Sequence, residues 1–192
     1  MDVNACVQNW LTTYGGSSVS AAEFLCDRHL DRPERAALIY EDGRGKKITR
    51  STQELLDQSA ALAGFFQDLG VNKGSRVAGL LPKGEELVLT TLAAWRLGAV
   101  YIPLFTAFGP QGVEYRLRAG EASVIVTDMA NRPKLRDIPR DAVPGLKTVT
   151  VTRDDSSLDP GDFSFWTQLE EARPVSEPVR VSGDDPMILI FT

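Results

Sequence analysis

The chain has 192 residues, enough to bury one sizeable core or two small ones, and its 43% hydrophobic and 24% charged content is ordinary for a globular protein. With 21 basic against 26 acidic residues the net charge is −5, which excludes a bulk nucleic-acid binder. No apolar run approaches the roughly eighteen residues that cross a bilayer.

The start, MDVNACVQNW, has no basic region ahead of an apolar run, so a secretory signal is not expected. Residues 1–19 are weakly patterned and are expected to be poorly ordered, with Gly15-Gly16-Ser17-Ser18 as a joint. No His or Cys lies at metal-ligand spacing from Cys6 or Cys26, which points to reduced thiols and a cytoplasmic protein. Ser20 and Glu23 have capping-box spacing, predicting a helix to about Leu30 that turns Phe24 and Leu25 inward. His29 is alone on that helix and is given no catalytic role. Residues 36–40 and 46–49 flank Asp42-Gly43, a hairpin signal in which glycine supplies positive φ. A phosphate loop is excluded here because the GxxxxGK[ST] order is absent. Ser51 and Glu54 repeat the capping box before an apolar stripe of Leu55, Leu62, Phe66 and Leu69, with Gly70 as the stop.

The stretch 72–110 then reads as strand, helix, strand. Residues 76–81 are apolar, and Pro82-Lys83-Gly84 breaks them. Glu85 and Glu86 open a helix that Arg96 and Gly98 close, and residues 99–105 are apolar again. A crossover helix implies parallel strands. Pro110 suits the first position of another helix with Val113 and Leu117 inward, and Gly120 at its end. Residues 122–127 and 147–152 are further strands, 154–161 a polar loop, and 164–172 a short helix burying Phe165, Trp166 and Leu169. Asp184-Asp185-Pro186 leads into the apolar run MILIFT, expected as an inner strand of the sheet beside the runs near Val77 and Val124.

Leu69-Gly70-Val71, Ser75-Arg76-Val77-Ala78 and Gly98-Ala99-Val100-Tyr101-Ile102-Pro103-Leu104, in that order and spacing, resemble the adenylate-forming enzymes. That superfamily comprises the AMP-dependent acyl-CoA synthetases, adenylation domains and luciferases. The continuation FTAFGP at 105–110 is most similar to acetyl-CoA and medium-chain acyl-CoA synthetases, and the resemblance runs over roughly residues 20–192.

The resemblance implies an α/β fold: a parallel, doubly wound (Rossmann-like) sheet with flanking helices and a small β-hairpin, part of a larger amino-terminal domain. Residues 1–192 would then be the amino-terminal portion of the AMP-binding domain, truncated before its phosphate loop, with Thr192 at that loop's first position. The parent would activate a carboxylic (fatty) acid with ATP and Mg2+ and transfer it to coenzyme A. The isolated piece, lacking the loop, the ribose-binding aspartate and the carboxy-terminal lysine, would be inactive and would expose sheet surface. In the resembled family, residues after the Val-x-Pro strand and an arginine beyond the next strand approach coenzyme A. Phe105, Thr106 and Ala107 occupy the first positions and Arg132 the second, while Lys134 is a weaker candidate. Family members often carry two glycines where this chain has Thr106 and Ala107. No catalytic residue and no metal ligand is assigned. The alternatives are an adenylation domain loading a carrier protein and a non-enzymatic α/β module binding a nucleotide or a partner.

Overall fold

The computed structural model describes residues 2–43, 45–139 and 141–191. Its spine is a five-stranded, wholly parallel sheet. The 192-residue chain first makes two helices, α1 (Val3–Tyr14) and α2 (Ala21–Leu25), and a hairpin of β1 (Ala36–Glu41) and β2 (Lys47–Ser51). Then α3 (Thr52–Asp68) leads to the sheet, formed by β3 (Arg76–Leu80), β4 (Val100–Pro103), β5 (Val124–Asp128), β6 (Lys147–Val151) and β7 (Phe163–Ser164). Between and after these strands run α4 (Glu85–Arg96), α5 (Pro110–Ala119) and α6 (Phe165–Glu171). The spatial order is β4-β3-β5-β6-β7. This is the expected parallel, doubly wound sheet with flanking helices and a small hairpin.

Strand alternation divides the core into two layers. Val77, Val124, Val126 and Val149 point to one face, where α3, α4 and α6 cover them with Phe66, Leu89 and Phe165. Ala78, Leu80, Ile102 and Ile125 point to the other, closed by Val113 and Leu117 of α5 and by Leu135 and Val143. Strands buried on both sides read as continuous apolar runs, which is why the sequence showed no alternation there.

The second capping box forms in full: Ser51 Oγ accepts from Glu54 N at 3.2 Å and Glu54 Oε2 accepts from Ser51 N at 2.7 Å. The first forms by half. Ser20 Oγ accepts from Glu23 N, but the Glu23 carboxylate turns away to pair with Arg180. The helix stops at Leu25, which is 59% exposed, and a 3-10 turn (Asp27–His29) follows; Ala22 and Cys26 are inward instead of Leu25. In the hairpin the positive φ falls on Gly45 (+79°) and not on Gly43, because Asp42 closes the loop with Lys46. Ahead of them, α1 is a complete helix that buries none of its residues.

The run before Thr192 differs from expectation. It lies parallel to β4 at the outer edge, with Tyr101 N donating to Met187 O and Leu189 N to Tyr101 O, both at 2.9 Å. Val77 and Val124 are not its neighbours, since β4 and β5 already flank β3. Ile190 is 63% exposed, and Thr192 lies outside the described residues.

Arg96 closes the last turn of α4 as expected, and it is also buried, only 2% exposed. Its fork grips Asp27 at 2.9 and 2.5 Å and its Nε donates to Ser59 Oγ at 2.8 Å, joining α4, α3 and the turn after α2. Removing Asp27 leaves a buried, unpaired guanidinium; Asp27→Ala is expected to lower stability by about 3 kcal/mol in urea titration. Gly64 allows α3 to touch the backbone after α6, since a Cβ there would sit 1.9 Å from Arg173 O. Gly64→Ala therefore forces the two segments apart, with an expected loss of about 1–3 kcal/mol by the same titration.

Candidate functional site

In open α/β sheets the crevice lies beyond the carboxyl ends of the strands, where the order reverses. Here that point is between β3 and β5: the chain leaves β3 through α4 toward β4, and leaves β5 in the opposite direction toward β6. Three loops form the rim there, 81–84 after β3, 104–109 after β4 and 129–131 after β5.

Of the predicted residues, Phe105 is 65% exposed at the end of β4, its ring edge-on to Phe108 at 5.4 Å between centroids. Thr106 and Ala107 follow on the same loop. Arg132 begins a 3-10 turn (Arg132–Leu135) beyond β5. The two stretches meet through Lys134, whose Nζ donates to Thr106 O and, at 2.7 Å, to Asn131 Oδ1. Asn131 is held in turn by Asp128 Oδ1, which accepts its backbone N–H and its Nδ2, both at 2.8 Å. A polar relay thus runs from the end of β5 to the loop after β4, and Lys134, the weaker candidate from sequence, is its link.

Arg132 itself is largely committed inside the protein. Its Nη2 donates to Asp162 Oδ1 at 2.8 Å, its Nε donates to the other carboxylate oxygen, and Asp159 lies 3.5 Å away. Asp162 also accepts from Thr150 Oγ1 at 2.7 Å, so the guanidinium braces β6 and the approach to β7. Arg132 Nη1 is buried without a hydrogen-bond partner. Sequence reasoning missed Asp159 and Asp162, which sit in and just beyond a stretch that reads only as a polar loop.

On the other side of the crevice Glu85 is buried and paired with Arg50, fixing the hairpin to the start of α4. Glu86, beside it, has its carboxyl pushed above the ordinary value of 4.5, chiefly by burial and further by the charges of Glu85 and Asp128. The group therefore binds its proton more tightly folded than unfolded, and folding loses stability as pH rises through and above 4.5. Glu86→Gln is expected to be more stable than the parent at pH 7, with the difference vanishing below about pH 4; thermal melts across that range check it.

Among the described residues no group of three or more His, Cys, Asp or Glu side chains could hold a metal ion, and no helix is long and apolar enough to cross a membrane.

The fold is that of a doubly wound, parallel α/β protein with a crevice at the ends of its strands. A family model described as AMP-binding enzyme matches residues 27–192, and the chain belongs to that family. It is 30% identical over 93% of its length to an acetyl-coenzyme A synthetase of Halorhodospira halophila, and 28% identical over 92% to a 3-hydroxypropionyl-coenzyme A synthetase of Metallosphaera sedula. The chain spans 30% and 29% of those relatives. Among solved structures, an acyl-CoA synthetase of Brucella canis superposes with a TM-score of 0.83 at 35% identity, over 93% of this chain and 32% of that one. An anthranilate CoA ligase in complex with anthranoyl-AMP shares the fold, with a TM-score of 0.80 at 21% identity over 92% of this chain and 32% of that one.

Proposed function

We propose that this chain is the amino-terminal part of an ATP-dependent acid–thiol ligase that activates a carboxylic acid as its acyl-adenylate and passes the acyl group to coenzyme A. The observation that carries this reading is the meeting of the Phe105 loop and the Arg132 turn on one rim, through Lys134 and Thr106 O, in a chain of the AMP-binding family. Fatty acids fall within the substrate class, and the buried thiol of Cys26 suits a cytoplasmic setting.

The chemistry such an enzyme needs is a better leaving group on the acid. The carboxylate attacks the α-phosphorus of ATP and pyrophosphate departs. The thiol sulfur of coenzyme A then attacks the acyl carbon and AMP departs. Positioning and charge neutralisation lower both barriers. ATP would supply the adenylyl group and Mg2+ the neutralising charge. Thr192, assigned to the start of the phosphate loop, lies outside the described residues, so no described residue is assigned to the triphosphate or to Mg2+.

For coenzyme A the rim fits in part. The exposed Phe105 ring is a surface on which a base can stack, and the backbone of Thr106 and Ala107 lies beside it. Arg132 has the planar charge that suits phosphate, with Nη1 unpartnered, but Asp162 and Asp159 already neutralise much of it. A phosphate at Arg132 would therefore have to compete with two carboxylates, which makes the Phe105 loop the stronger half of the acceptor assignment.

The longer protein carrying this chain, given a panel of acids with ATP, Mg2+ and coenzyme A, is expected to release AMP only when both acid and thiol are present. Acid-dependent pyrophosphate exchange with no turnover of coenzyme A would instead favour loading of a carrier protein. No nucleotide consumption with any acid would overturn the reading. The 192-residue chain alone, which spans about 30% of its relatives, is expected to form no AMP.

A further inference from the structure

Arg116 stands where two segments far apart in sequence converge on the α5 side of the rim. Its guanidinium carbon is 4.0 Å from the centroid of the Phe108 ring and 6.0 Å from that of Phe191. Its Nη1 donates to Gly112 O at 2.9 Å, one turn back on α5, which sets the direction of the side chain. Among the described residues it forms no ion pair with a carboxylate, so its partners are the two rings and its own helix. Each ring continues the contact outward: Phe108 is edge-on to Phe105, and Phe191 is edge-on to Tyr115 at 6.1 Å and 70°. Phe108 N also donates to Phe105 O at 3.0 Å, closing the loop into one turn. The run ending at Phe191 is also held through Met187 O, which accepts from Trp95 Nε1 and Tyr101 N, through Leu189 N, and by the packing of Leu189 and Phe191 on the second apolar layer.

We propose that Arg116 is a positioning residue that locks the Phe105–Phe108 turn and the Phe191 end of the edge run into one frame. The proposal rests on the reading of the rim as the acceptor side of an acid–thiol ligase. There the two locked segments are the loop assigned to coenzyme A and the strand that leads toward the triphosphate. A cation between two aromatic faces suits this task, since half-buried rings attract it without the desolvation that a carboxylate pair requires.

Hydrogen–deuterium exchange on the full 192-residue chain tests the lock without any ligand. In Arg116→Leu, which keeps apolar bulk beside the rings, exchange is expected to rise about tenfold in both 104–109 and 187–191 while β3 and β5 stay unchanged. Arg116→Lys, which keeps the charge but not the planar stack, is expected to recover part of the protection. Loosening of α5 alone, or of only one of the two segments, would overturn the proposal. If Arg116→Leu does not fold, Phe108→Leu decides. It leaves Arg116 and α5 intact, and it must raise exchange at 187–191 for the proposal to stand. A separate arm adds adenosine 3′,5′-bisphosphate to the parent chain. If the nucleotide gives no protection at 104–109 while both segments still loosen together in Arg116→Leu, the lock stands and the acceptor reading falls.

Discussion

Everything in this molecule is hung from β3. Its five residues pair on one side with β4 and on the other with β5, in registers that set Val77 opposite both Tyr101 and Val124. With β5 it shares the reversal of direction that opens the crevice, and the two strands together separate the apolar layers: Val77, Ala78 and Leu80 of β3 and Val124, Ile125 and Val126 of β5 are all 0% exposed. Because the pairing is parallel, each neighbour needs a crossing helix, and those helices supply the two layers. The rim is a consequence of this arrangement. Three loops with little in common in sequence are delivered to one end of the sheet because parallel strands all finish there.

Charged side chains do much of the joining between layers. Arg96 links α4 to α3 and to the turn after α2; Arg50 links the hairpin to the start of α4 through Glu85; Arg132 links the turn after β5 to the stretch before β7. Each guanidinium has taken a position where an apolar residue would cost less to bury, and each is met by a carboxylate with two-point or near two-point geometry. Such pairs add little net stability, but a misplaced partner leaves an uncompensated charge. They therefore discriminate strongly between this packing and its alternatives.

The relay Asp128, Asn131, Lys134 and Thr106 O shows the same economy on a smaller scale. Asp128 ends a strand and caps the turn behind it, and that turn aims an ammonium across the gap to the neighbouring loop. Lys134 tethers the Thr106 end of that loop, while Arg116 holds the Phe108 end against α5. The loop that combines an exposed ring with accessible backbone is thus fastened at both ends, which favours a preformed surface over one shaped by its ligand.

The sequence alone determined β3 to β6 of the parallel sheet and the helices around them, though not the two-residue β7, together with the hairpin, the second capping box and the family. Those features are local: apolar runs between turn residues, a serine three positions before a glutamate, a motif whose spacing does not change on folding. Phe105 and Arg132 are coenzyme A candidates through resemblance and not through periodicity. The sequence placed Leu25 inward, put Arg96 rightly in the last turn of α4 but did not foresee its burial, and set the MILIFT run inside the sheet. In each case the deciding partner lies far along the chain. Glu23 leaves its cap for Arg180, Arg96 finds Asp27 and Ser59, and the run reaches only the free edge of β4 because β5 already holds the other side of β3. Which arginine is buried, which lysine bridges two loops and which strand is outermost were decided by tertiary structure, because pairing across long separations leaves no period in the sequence.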